Sequence, residues 1–449
     1  MHCVGEATFT ADGDKSVPIP IIVPTYGRPC LDIRSLGTTT ACFAYDPGFV
    51  STAPCRSKIS HVDDERGELL YHGYPVEQLA ERCDHFDVAH LLRHGELPDS
   101  AEKRRLRTAI ASQALVHQQM VRLYESFRRD ARPLPVIMGI VAALSAFDEA
   151  DADYADPAWR AICFARLVAR MPAIVAMAYK YSVGQPFMTP RPDLGYGENL
   201  LQMLFGTLRE TPPDNAVLAR AVERLLIVFA DYGQDAATTT VRMAGSSGAN
   251  PFVCISAGIA CLSGPAHGGA SEACLALIDQ IDDAAPAAAF VARATSGDGR
   301  QPCLPGFGDP DFGARDPRVP VLRRTLAEVI EERGLEQHRL FRKARAIEQV
   351  AFEHPELVAR GLQPNAHFYA GLILGAIGLP PSMWGCLLAL ARTAGWLAHW
   401  EEMLTDPEYR IARPRQIYCG VTRRHLARPP ASCASTPACA ALRGPGDAR

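Results

Sequence analysis

Apolar residues recur at helical spacing along most of this chain, and glycine-rich turns cut the pattern into segments. Leu218, Val222, Leu225 and Phe229 follow Asp214 and Asn215, a plausible N-cap, and Phe341, Ala344, Ile347 and Ala351 repeat the stripe. Stripes of this kind must be buried against one another, so from about Pro75 onward the chain is constrained to a mostly α fold. The turns fall at 244–250, 264–269, 306–318 and 364–371. The apolar run 135–147 is too short to span a bilayer and reads as buried helix. The first sixty residues differ. Val17 to Val23 and Ala41 to Tyr45 are short pieces cut by Pro and Gly, read as small strands and turns. From Arg428 the chain is rich in Pro, Ala, Cys and Ser without periodicity and reads as disordered.

A length of 449 residues allows two or three domains with ample apolar interior, and 48% hydrophobic with 21% charged residues is ordinary globular composition. A net charge of -4 gives no electrostatic case for nucleic acid or for an anionic membrane. Small molecules and copies of the chain itself are the expected partners. The fourteen cysteines are scattered with no CxxC pair, which fits a reduced, cytoplasmic protein better than a disulfide scaffold. The first residues lack a basic stretch leading into an apolar run, so no signal peptide is read.

Chemistry concentrates in a few places. The segment Gly264-Pro-Ala-His-Gly-Gly-Ala270 sets His267 among glycines directly before an amphipathic helix. Glycines let backbone approach a ligand, and a helix start offers free N–H groups, so His267 could donate to a developing enolate oxygen. A helix-capping loop with an incidental histidine is the bland alternative. Arg242, Arg318, Arg392, Arg413 and Arg415 lie in or beside apolar or glycine-rich surroundings. Arg392 interrupts the apolar run Leu387 to Trp396 and needs an anion there, either a protein carboxylate or a substrate acid.

The runs GPAHGGA, MAGSSGANPF, ARTAGWLAHW, IARPRQIY, YDPGFVSTA and YKYSVGQPF resemble the citrate synthase family, in order, from roughly residue 8 to residue 425. The likeness is to the bacterial type with a small β-rich N-terminal segment. It implies a two-domain helical fold, a homodimer or homohexamer, and an active site in the cleft between the domains. The boundaries would be 1–60 for the β-rich segment, 61–269 with 379–427 for a large domain, 270–378 for a small one and 428–449 for the tail. The resemblance assigns His267 to the acetyl-CoA enol and Arg318, Arg392 and Arg413 to the carboxylates of oxaloacetate. Acetyl-CoA would be a co-substrate, with no permanently bound cofactor and no metal.

Three positions depart from the family pattern. Asp309 stands where a histidine binds the oxaloacetate carbonyl, His367 stands where an aspartate removes the methyl proton, and Tyr232 replaces a further substrate-binding histidine. An ionised aspartate only accepts hydrogen bonds, so the family reaction should suffer at Asp309 unless its carboxyl is neutral or the acceptor differs. His367 is the gentler change, since a neutral imidazole is a competent general base. The alternatives are a condensing enzyme using oxaloacetate or another acidic 2-oxo acid, a weak or inactive relative that binds CoA or a di-acid or serves as a regulatory subunit, and a lyase running the chemistry backwards. Lys180 matches part of the family's NADH site, but 112–114 reads Ser-Gln-Ala where Arg-His-Thr is expected, so NADH control is doubtful.

Overall fold

Eighteen α-helices and two three-stranded sheets are laid out along the described residues. The computed structural model describes residues 3–10, 16–147, 153–207, 215–264, 267–295, 304–309, 312 and 315–425. The chain divides into two units, Met1–Ile411 and Ala412–Arg449. The tail 428–449, read as disordered, lies outside the described residues.

The N-terminal sheet is antiparallel and runs β1 (Cys3–Thr10), β2 (Ser16–Ile22) and β3 (Cys30–Leu31), with Ala7 opposite Ile19 and Phe9 opposite Val17. The strand expected from Val17 is thus present. The piece from Ala41 to Tyr45 is not a strand. It follows the short helix Leu36–Thr40, which Ala41 ends in a left-handed conformation at φ 58°. That stretch contains no β-branched residue to favour extension. A second sheet, β4 (Ser60–Asp63), β5 (Glu68–Tyr71) and β6 (Tyr74–Pro75), lies past the segment expected to be β-rich, and Leu69, Leu70 and Tyr71 seat it in the core.

Helix starts follow local chemistry. Asn215 accepts a hydrogen bond from the N–H of Leu218 and opens Ala216–Val228, whose Leu218, Val222 and Leu225 are buried. The second stripe, Phe341 to Ala351, forms the buried face of Arg339–Glu353. Asp156 caps Pro157–Ser182, the one helix among the described residues that is long and apolar enough by itself to cross a membrane, with 78% of its most apolar window buried. Pro172 inside this helix cannot donate to the carbonyl of Val168, and the hydroxyl of buried Tyr196 donates to that carbonyl instead at 2.7 Å. Lys180, near the helix end, is buried and donates to Oε1 of Gln185 and to the carbonyl of Gly206, each at 2.7 Å. The Gly206 carbonyl is at the C-terminal end of helix Tyr196–Phe205, where a cation is favourable, and Gln185 lies just past the end of Lys180's own helix.

The segment 364–371, read as a turn, is mostly helix. Asn365 caps Ala366–Ile377, and Gly371 lies inside it because this helix crosses Ala270–Gln280 closely. A Cβ on Gly371 would come within 3.2 Å of Leu275 and 3.3 Å of the Ser271 carbonyl. The glycine is there for packing, and the crossing places Ser271 beside His367.

Candidate active site

Two backbone segments that carry sequence-predicted residues are tied together. Gly308 donates to the carbonyl of Gln363 at 2.8 Å, Asn365 donates to that of Gly306 at 2.9 Å, and the Asn365 side-chain amide reaches the Gly308 carbonyl at 2.7 Å. Gly306 has φ +85°, and a side chain there would run into Cys274. The loop of Asp309 is thereby fixed against the start of the His367 helix.

Asp309 spends one oxygen on its own loop: Oδ1 accepts from the N–H of Phe312 at 3.0 Å. Its Oδ2 lies 3.5 Å from Nη2 of Arg318. Asp316, which the sequence analysis did not single out, takes the Nε and Nη2 fork of Arg318 at 2.9 Å on both arms. Burial works against the charge on Arg318, but Asp316, and with it Asp309, hold the guanidinium pKa above its usual range.

Arg392 sits in Trp384–Thr405, a helix buried on nearly all sides, and its Nη1 donates to Oδ2 of Asp235 at 2.6 Å. Asp235 also caps Ala236–Gly245 through Oδ1, which accepts from Thr238. The same Oδ2 lies 3.6 Å from Nε2 of His267. Tyr232 joins the two cations: its ring centroid is 4.6 Å from the Arg318 guanidinium carbon and 5.7 Å from that of Arg392. The requirement that Arg392 meet an anion is therefore met by a protein carboxylate.

His267 follows the turn closed by its N–H to the Gly264 carbonyl at 3.2 Å, and 265–266 lie outside the described residues. Gly268 next to it packs on Leu262 so closely that a Cβ would lie 2.8 Å from the Leu262 Cβ. Burial lowers the His267 pKa, with Asp235 opposing and Arg392 assisting, so the ring is neutral at neutral pH. Its Nε2 is sealed from solvent without a hydrogen bond, and so is Nε of Arg392. Both are buried polar atoms without a hydrogen bond, a cost that the packing around Asp235 carries in this arrangement.

His367 is the second residue of Ala366–Ile377, at the positive end of the helix, and lies against Phe229 and Trp384 at centroid distances of 5.7 and 5.9 Å. Burial first and Arg318 second push its pKa down to about 3, so its imidazole is neutral. Ser271 sets the tautomer. Its Oγ donates to the carbonyl of His367 at 2.9 Å and lies 3.2 Å from Nδ1. The single hydroxyl proton is used on the carbonyl, so the oxygen accepts from Nδ1–H and the lone pair resides on Nε2. None of the described hydrogen bonds uses Nε2, and it is not sealed in the core.

The structure thus gathers His267, Asp309, His367, Tyr232, Arg318 and Arg392 in the first unit. Arg413 and Arg415 belong to the second unit, where both are exposed in irregular chain. Arg242 is buried in structural pairing with the carbonyl of His399 at 3.1 Å and with Glu402 at 3.2 Å. Sequence reasoning gave no role to Asp235, Asp316, Ser271 and Trp384. Among the described residues no group of three or more His, Cys, Asp or Glu side chains could hold a metal ion. A separate cavity of about 210 Å³ is lined by residues including Arg107, Ala114, Pro172, Tyr196 and Asn199. It borders the 112–114 run considered for NADH control.

Residues 48–415 match the family described as citrate synthase, C-terminal domain. The chain is also similar to solved structures. Against citrate synthase from Pyrobaculum aerophilum the identity is 29% over 86% of this chain and 96% of that one, with a TM-score of 0.77. Against the ternary complex of carboxymethyl coenzyme A and oxaloacetate with citrate synthase from Thermoplasma acidophilum it is 26% over 84% and 96%, with a TM-score of 0.75. Against citrate synthase from Thermotoga maritima it is 26% over 86% and 98%, with a TM-score of 0.72.

Proposed function

Since the chain belongs to the citrate synthase family, we propose that it condenses an acyl-CoA, acetyl-CoA foremost, with a carboxylated 2-oxo acid. Family and fold support a citrate-synthase-like condensation. The observation that carries the finer reading is the pair of neutral imidazoles, His267 and His367, placed with two buried guanidinium groups in one site.

In this reading Nε2 of His367 removes a proton from the carbon next to the thioester carbonyl. His267 donates to the enol oxygen that forms, and the arginines orient the 2-oxo acid. The nucleophilic carbon bonds to the oxo carbon, whose oxygen takes up the proton that His367 removed. Water then cleaves the thioester, releasing free CoA and a hydroxy acid.

The test is CoA release from the purified protein, followed with a thiol reagent, using acetyl-CoA and a panel of 2-oxo acids that includes oxaloacetate. Release with at least one acceptor is expected. Silence across the panel from folded protein would overturn the reading. A second reading, a ligand-binding relative without turnover, draws on the ion pairs of Arg318 and Arg392, which need no substrate to be neutralised. Calorimetric binding of a 2-oxo acid or CoA, with no CoA release, is its signature.

A further inference from the structure

We propose that His90 and His94 form a metal site, in which two imidazoles grip one divalent ion of right-angled coordination, of the copper and nickel class. The proposed condensation uses neither residue.

The two histidines are four residues apart on the helix His85–His94, so they share one face, with the His94 side chain directed back toward His90. Their ring centres are 4.4 Å apart and the ring planes are tilted by 38°. A metal ion stands about 2.1 Å from an imidazole nitrogen, so two rings that meet it at a right angle have centres about 4.5 Å apart. A tetrahedral ion would spread them to about 5.2 Å. The spacing present therefore suits a square or octahedral ion with little adjustment.

One ring is already set for ligation. Nδ1 of His90 lies 3.0 Å from the Glu96 carbonyl, which can only accept, so Nδ1 carries the proton and Nε2 the lone pair. A bond of this kind at the second nitrogen is how proteins orient a ligating histidine. Nε2 of His90 is not sealed in the core, and none of the described hydrogen bonds uses it or either ring nitrogen of the exposed His94. The pair spans the last turn of its helix, which Gly95 ends at φ 87°, and the carbonyl dipoles there favour a cation. Neighbouring charges are engaged elsewhere: Arg93 pairs with Glu401 at 2.9 Å, and Asp87 with Lys103 at 2.8 Å. Water fills the ion's remaining positions, so the ion stays exchangeable.

Calorimetry of the full chain with nickel chloride at neutral pH tests the site. Accessible thiols are alkylated first, because Cys30, Cys42 and Cys419 are exposed and free. The wild type is expected to bind one ion at this pair, with affinity falling by about tenfold or more in H94Q and in H90Q and unchanged in H61Q. Excess magnesium should not compete, since it prefers oxygen ligands. Nickel should also raise Tm in the wild type and not in H94Q. Histidine-nitrogen NMR of the wild type decides the matter even if H90Q does not fold: the paramagnetic ion should broaden the His90 and His94 signals first. No nickel binding, unchanged affinity in H94Q, an equal loss in H61Q, or broadening confined to other histidines would overturn the proposal and leave the two rings a packing contact only.

Discussion

Ser271 and His367 are joined twice: the serine Oγ donates to the histidine carbonyl at 2.9 Å and lies 3.2 Å from its Nδ1. The pairing leaves Nε2 as the proton acceptor. Ser271→Ala removes the hydroxyl and lets the ring sample both tautomers, so kcat is expected to fall roughly three- to tenfold, the worth of one neutral hydrogen bond. KM for the acyl-CoA should hardly change, and Ser271→Thr should restore kcat. Nitrogen NMR of labelled histidine checks the tautomer independently of rate; a protonated Nε2 in the wild type would refute the assignment.

The His367 pKa of about 3 makes a pH prediction. Unfolded, this histidine would take up its proton near pH 6.5, whereas the folded form stays neutral down to about 3. Its contribution to stability is therefore complete above about 6.5 and is lost as pH falls toward 3. The rate should keep no step near 6.5 that belongs to His367. A pH profile of kcat/KM with such a step, abolished in His367→Asn, would contradict the burial of the ring.

Glu223 works in the opposite sense. It accepts from the N–H groups of His85 and Gly197 at 2.7 Å each, and burial pushes its carboxyl up to about 7 from the usual 4.5. Between these values the folded chain holds a proton that the unfolded chain releases, so this group's contribution falls as pH rises through 4.5 to 7. The change is on the order of 3 kcal/mol. Urea midpoints of the wild type and Glu223→Gln at several pH values isolate it: the difference between the two should shift toward the variant as pH rises across that window, then level off.

Gly395 faces the chain that leads into Tyr232. A Cβ there would collide with the Ala230 carbonyl and come within 2.6 Å of Oδ1 of Asp231. The obstacle is backbone, which cannot rotate away. Gly395→Ala is therefore expected to destabilise the fold by about 1–3 kcal/mol, read as a lower Tm, and to reduce binding at the site through the displaced Tyr232. An unchanged Tm would mean that the helix Trp384–Thr405 stands further from this segment.

Much of the helical framework was legible because it is local. The stripe Leu218, Val222 and Leu225 and its Asn215 cap involve neighbours within a turn or two. Gly371 was misread as a turn residue because what it serves, the crossing with Ala270–Gln280, joins positions about a hundred residues apart. The same distance problem hid the site's charge balance. Arg392 could be flagged as needing an anion, but Asp235, 157 residues earlier, could be chosen over a substrate only from the folded chain. Asp309 was readable as a departure from the family pattern, while its bond to the Phe312 N–H and its approach to Arg318 were not.

The most direct measurement is hydrogen exchange at the α-carbon of acetyl-CoA in heavy water, with a 2-oxo acid present and the recovered thioester weighed by mass spectrometry. Wild-type protein is expected to incorporate deuterium, and His367→Asn to lose that activity by on the order of a hundred- to ten-thousandfold, the range for a general base. Exchange in His367→Asn at the wild-type rate would show that His367 is not the base.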